Sequence, residues 1–172
     1  MKKLTLITVI VLACFVVTPF VNADSGLIKK YSDNMILSKI VDDMDDSVTY
    51  HLVVFPHERK GAISLMRDSG KQAVEMAIAT ESSQDYDTSG RHIWSIEPLF
   101  RFDKEKAFKV RFTSSAYEYH YSFSDNPYGL INKMKSSNKL LLKLGVYRDP
   151  GHVFKFDLTG FTAAYEQFMK LK

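Results

Sequence analysis

Between residues 48 and 158, apolar side chains keep returning at every second position. That spacing turns one face of a β-strand towards a core and the other towards water. Tyr117, Tyr119, Tyr121 and Phe123 alternate with Glu118, His120 and Ser122, the clearest run of this kind. Val48, Tyr50, Leu52 and Val54 follow the same rule and stop at Pro56. Ile63 and Leu65 lead into the turn sequence Asp68-Ser69-Gly70, and Val74, Met76 and Ile78 return from it, so a hairpin is expected. His92, Trp94, Ile96, Phe100 and Phe102 share one parity, with Pro98 marking an edge or a bulge. Phe108, Val110 and Phe112 alternate with Lys109 and Arg111. Leu140, Leu142, Leu144 and Val146 form another run, and Asp149-Pro150-Gly151 is expected to turn the chain into a last strand of Phe154, Phe156 and Leu158.

Helical spacing is confined to short stretches. Asn126-Pro127 reads as a cap followed by proline at the first helical position, with Leu130, Ile131 and Met134 on one face. Phe161, Ala164, Tyr165 and Phe168 stand at i, i+3, i+4 and i+7, an amphipathic C-terminal helix starting from Asp157 or Thr159. Asp24 to Asn34 is polar, with Leu27, Ile28 and Tyr31 weakly spaced, and is expected to be a short helix or a lead-in arm. About eight strands joined mostly by short turns, with no strand–helix–strand rhythm, predict a mainly β fold. The expectation is an antiparallel β-sandwich or open barrel with two short helices, the last one C-terminal.

The N-terminus follows a different logic. Lys2 and Lys3 precede an almost wholly apolar stretch from Leu4 to Val17, and Pro19 and Val21-Asn22-Ala23 come after it. This is the pattern of an export signal cleaved after Ala23. A membrane anchor would need an uninterrupted run of about 20 apolar residues, and Pro19 breaks this one. Cys14, the single cysteine, has bulky Leu12 before it where a lipoprotein signal prefers a small residue. Residues 24–172 then form one domain, large enough to bury about 68–70% of its unfolded surface without disulfide support. Thiol chemistry leaves with Cys14. Loss of Lys2 and Lys3 takes the formal net charge from +3 to +1, which supplies no general pull towards nucleic acid.

Several patterns resemble chemical sites, and each has a plainer reading. Asp42, Asp43, Asp45 and Asp46 offer oxygen ligands for Ca²⁺, yet the glycine and distal glutamate of an EF-hand loop are missing. They are read as a solvated turn in which an aspartate bonds its own backbone. His51, His57, His92, His120 and His152 show no pair spaced for two ligands on one helix face, and His120 is read as a surface residue of a strand. Asp87-Thr88-Ser89-Gly90 is similar to the aspartic-protease triplet but carries an inserted serine and has no second copy. Ser136-Ser137-Asn138-Lys139 fits Ser-x-x-Lys without its companion motifs. Tyr117, Tyr119, Tyr121 and Tyr128 are either a binding face or one layer of the core. No catalytic, cofactor-binding or metal-binding residue is assigned.

The order of short elements in the chain is more informative. Met44-Asp45-Asp46 precedes the first core strand, Arg67 the hairpin turn, and Arg101-Phe102-Asp103 ends a strand. Phe156-Asp157-Leu158-Thr159-Gly160-Phe161 opens the final helix. Over residues 40 to 170 this resembles the VasI/TagO-type proteins, small exported accessories associated with type VI secretion systems. The last element is also similar to the end of invasion-associated locus B proteins. In the VasI/TagO type a cysteine follows the arginine, where this chain has Asp68.

The resemblance implies a non-enzymatic accessory or adaptor that contacts another envelope or secretion protein in the periplasm. The alternative is a periplasmic inhibitor or immunity protein that blocks a toxin or lytic enzyme. The loop Glu81 to Gly90 and the segment Ser124 to Tyr128 are the expected contact areas, because polar loops on a rigid sheet commonly carry recognition. Export itself has a direct check: N-terminal sequencing of the protein recovered outside the cytoplasm should begin at Asp24, and an intact Met1 would refute cleavage.

Overall fold

A computed structural model describes residues 26–58, 60–79, 93–115, 121–146 and 149–172. Its strands are β1 (Gly26–Ser32), β2 (Met35–Val41), β3 (Val48–Val54), β4 (Ala62–Asp68), β5 (Glu75–Ala79) and β6 (Ile93–Ile96). There follow β7 (Leu99–Phe102), β8 (Phe108–Lys109), β9 (Phe112–Ser115) and β10 (Tyr121–Ser124). Helix α1 (Pro127–Ser136), β11 (Lys139–Val146), β12 (Asp149–Asp157) and helix α2 (Phe161–Lys170) complete the order. An eight-stranded sheet runs β1-β2-β3-β4-β5-β10-β9-β6, and a four-stranded sheet runs β12-β11-β7-β8. The ladders are antiparallel, and none among the described residues closes either sheet into a barrel.

The period-two runs bury the residues they should. Leu37, Leu52, Leu65 and Met76 lie side by side across β2 to β5, and all are buried. The small sheet turns Phe100, Phe102, Leu140, Leu142, Phe154 and Phe156 towards the same core. Both helices add to it, α1 through Leu130, Ile131 and Met134 and α2 through Phe161, Ala164 and Phe168. The reverse face of β3 and β4 is also buried, at His51, Val53, Ser64 and Met66.

Pro98 marks a change of sheet where an edge or a bulge was expected. β6 ends at Ile96 in the large sheet, and β7 begins at Leu99 in the small one. The chain crosses back between Lys109 and Phe112, and Val110 N donates to Pro98 O at 3.2 Å, so the two crossings brace each other. Each crossing preserves parity, so one run of alternating residues serves two sheets. The same effect splits the expected Phe108–Phe112 strand into β8 and β9.

Other expectations are corrected. Residues 24–34 are neither helix nor loose arm in their described part, since Gly26–Ser32 forms β1 on the edge of the large sheet. Its partner β2, with Met35 and Leu37 inward, was not foreseen. Asp149-Pro150-Gly151 already belongs to β12. With β1, β2 and the two split runs, the described residues form twelve strands of a mainly β, antiparallel fold with two helices, as expected.

The helix starts follow from local chemistry. Asn126 Oδ1 accepts the Gly129 amide at 3.1 Å and Pro127 opens α1. A Cβ at position 129 would meet Asn126 Nδ2 at 2.8 Å, so a larger residue there would displace the capping side chain. At α2 the cap is neither Asp157 nor Thr159 but Gly160, at φ 84°, a left-handed conformation that glycine adopts without steric cost. Asp157 Oδ1 accepts the Thr159 amide at 2.9 Å, Leu158 N donates to Asn138 O at 2.8 Å, and Phe161 N donates to Leu158 O. Phe156, Leu158 and Phe161 are then carried into the core in succession.

Phe168 is fully buried near the end of α2. Truncating a buried phenylalanine costs about 3–5 kcal/mol, out of the roughly 5–15 kcal/mol available to a domain. Phe168→Ala should therefore lower the denaturant midpoint by about a fifth or more of its value, and an unchanged midpoint would show that α2 is not packed in this way.

Candidate functional surface

The acidic cluster is a turn between β2 and β3. Asp42 Oδ1 accepts the Met44 amide at 2.8 Å and Asp45 Oδ1 the Ser47 amide at 3.1 Å. Asp46 takes φ 54°, which places the chain for re-entry into β3. Among the described residues no group of three or more His, Cys, Asp or Glu side chains is placed to hold a metal ion. Ser136 Oγ bonds the carbonyls of Asn132 and Lys133 at 3.2 Å, so the Ser-x-x-Lys pattern spans the end of a helix and the start of a strand. Asp87-Thr88-Ser89-Gly90, the loop Glu81 to Gly90, His92, His120, Tyr117 and Tyr119 lie outside the described residues.

The remaining candidates are dispersed. His57 is exposed, and its amide donates to Lys155 O at 2.9 Å, tying the β3–β4 connection to the edge of the small sheet. His152 is exposed and packs edge-on against Phe154 with ring centroids 4.7 Å apart. Tyr128 is 47% exposed, but its hydroxyl accepts the Val74 amide at 3.0 Å and so ties α1 to the segment before β5. In the segment Ser124 to Tyr128, Ser124 Oγ accepts the Asn126 amide and Asp125 accepts the Thr113 hydroxyl. This expected contact area is an ordered cap whose polar groups serve its own backbone and the neighbouring strand.

Arg67, Asp103 and Asp157 also have local structural tasks. Arg67, buried on β4, donates from Nη1 to Lys71 O at 2.8 Å and from Nη2 to Phe168 O at 3.1 Å and Leu171 O at 2.6 Å. Asp103, at φ 44° after β7, accepts the Asn138 and Lys139 amides and fixes the entry to β11. Asp157 is held below the usual carboxylate range, chiefly by the Thr159 amide and hydroxyl.

The outer face of the small sheet is different. Its residues alternate with the buried Phe and Leu, and strand pairing brings them into rows. One row reads Lys109, Leu99, Lys143, Val153, and the next reads Arg101, Leu141, Lys155. Lys139 stands opposite Asp157 at the end. Arg101, Lys109, Lys139, Lys143 and Lys155 are all exposed. At a strand spacing of about 4.7–4.9 Å, cations two strands apart lie roughly 10 Å from each other, with an aliphatic side chain between them. Acids stand only at the margin of this patch among the described residues: Glu97 approaches Lys109 at 3.6 Å, while Asp103 and Asp157 accept backbone amides. Sequence reasoning missed this face, although the alternation of Lys139 and Lys143 with Leu140, Leu142 and Leu144 announces its central strand.

His51 offers a pH test of the interior. It is 2% exposed, 3.5 Å from Ser64 Oγ, and burial pushes its imidazole down to about 4 from 6.5, against a smaller opposing pull from Asp68. The unfolded chain therefore binds the extra proton more readily. Stability from neutral His51 is complete above about pH 6.5 and falls as pH drops towards 4, by on the order of 3 kcal/mol. Urea midpoints should decline over that window, and His51→Gln should flatten the decline; an equal slope in both proteins would contradict the assignment.

Among the described residues no helix is long and apolar enough to cross a membrane. No protein-family model, curated protein or solved structure matches this chain.

Proposed function

We propose that the chain is an exported, non-enzymatic accessory protein that works by surface contact with another component of the cell envelope. The carrying observation is the outer face of the four-stranded sheet, where five exposed cations alternate with Leu99, Leu141 and Val153. Strand pairing fixes the backbone spacing of this pattern, so charge meets charge with only the side chains left to order. The N-terminal leader pattern supports export, and the order of elements shared with the VasI/TagO type supports an accessory role. In the described residues Arg67, Asp103 and Asp157 act as anchors, caps and turns. Contact chemistry is then left to the surface.

The proposal predicts a separation between charge on this face and charge elsewhere. Lys143→Glu combined with Lys155→Glu should release the protein from the cell-envelope fraction, reducing the bound share at least about ten-fold, with an unchanged melting temperature. Asp45→Asn should leave that share as it was. Fractionation followed by immunoblotting reads both. Retention of the double variant would overturn the assignment of the face, and substrate turnover abolished by one histidine or aspartate change would overturn the non-enzymatic reading.

A further inference from the structure

We infer that the surface recognised by the outer face of the small sheet is a phosphate-bearing lipid bilayer, an inference that rests on the contact role proposed above for that face. Three features of the face select this occupant. The first is shape. Residues of four adjacent strands contribute to one sheet surface, and the exposed groups come from regular strand positions, with no loop among them. Even with the usual twist of about 20–25° per strand, such an open surface can meet many anions at once, where a pocket would meet one.

The second feature is composition. The rows contain lysine, arginine, leucine and valine, and no aromatic side chain. Stable protein interfaces concentrate their energy in aromatic or arginine anchors that fill pockets, and single-stranded nucleic acid is held largely by stacking on aromatic rings. Four of the five cations are lysines, compact point charges suited to phosphate oxygens in any orientation. The third is the aliphatic set between them. Leu99 and Leu141 are half-buried and Val153 is 39% exposed, so they present a low apolar floor that does not reach into the acyl region. Adsorption is therefore electrostatic and reversible, without insertion.

The charge spacing sets the response to salt. Cations roughly 10 Å apart sit at about one screening length in 0.1 M salt, so they act together there; at 1 M the screening length is about 3 Å and the cooperation is lost. Each lysine or arginine at an anionic bilayer contributes about a five-fold gain in partitioning, so removing two costs about twenty-five-fold.

Sedimentation of the purified protein with vesicles decides the matter. Vesicles containing phosphatidylglycerol should bind it in 0.1 M salt, release it in 1 M salt, and bind Lys143→Gln/Lys155→Gln about twenty-five-fold less. Lys143→Arg/Lys155→Arg should restore binding, which a merely structural loss would not allow. Phosphatidylcholine vesicles should bind none of these proteins. Equal binding to both lipids, or no binding to the anionic vesicles, would overturn the inference. So would tighter binding to polyglutamate or duplex DNA in the same buffer, which would reassign the face to an acidic protein or to nucleic acid. Should the charge-reversed variant leave the envelope fraction while anionic vesicles bind nothing, the contact role stands and the lipid is the wrong partner. Should neither respond, both readings fall.

Discussion

A buried guanidinium holds the last helix to the large sheet. Arg67 lies opposite Tyr50 on the core side of β4, and its Nη2 donates to the carbonyls of Phe168 and Leu171 where α2 ends. A helix C-terminus carries partial negative charge and unpaired carbonyls, so a cation there is stabilised twice, by hydrogen bonds and by the dipole. The rings of Tyr50 and Phe168 stand 5.5 and 5.6 Å from its centre and add attraction from their faces. Hydrogen bonds from a charged donor are worth about 1.5–3 kcal/mol each, enough to offset part of the cost of burying the charge. Nε has no partner among the described residues, and the carbonyls of α2 depend on the remaining donors.

Seating α2 here has consequences through the core. Phe161, Ala164 and Phe168 join the same cluster as Leu37, Leu52 and Leu65, and Thr162 Oγ1 bonds Lys135 O at the end of α1. The Tyr50 hydroxyl reaches the main-chain oxygen of Lys172, a second tie between β3 and the residues after α2. On the far side, Asn34 donates to Asp157 O at 2.7 Å and His57 to Lys155 O, so turns of the large sheet cover part of the β12 edge. Covered edges resist pairing with other chains, which directs recognition to faces.

Much of the polar chemistry in the described residues is engaged in holding this frame. Asp42, Asp45, Asp103 and Asp157 each accept backbone amides, and His51 is enclosed in neutral form. The cations of the small sheet's outer face are of another kind, pointing to water at regular intervals. Their alternation with aliphatic residues keeps like charges from facing each other directly across neighbouring strands, a placement that would destabilise the pairing. A cationic surface of this density is therefore compatible with a well-ordered sheet.

Local pattern alone determined that the chain is mainly β, that Asn126 caps one helix, and which faces of β3, β5, β7, β11 and α2 turn inward. Those properties depend on neighbours within a few residues, where the two-residue and 3.6-residue periods act. β1 escaped notice because an edge strand with exposed Leu27 and Ile28 keeps no clean alternation. Pro98 was misread because a change of sheet that preserves parity leaves no trace in the periodicity. Arg67 shares the inward parity of Ile63 and Leu65, yet the two acceptors of its Nη2 stand 101 and 104 residues away, beyond any local signal. The cationic rows follow the same logic: each lysine is visible as an outward residue of its own strand. That Arg101, Leu141 and Lys155 stand abreast was decided by the order β12-β11-β7-β8, a non-local pairing chosen by how the whole core packs.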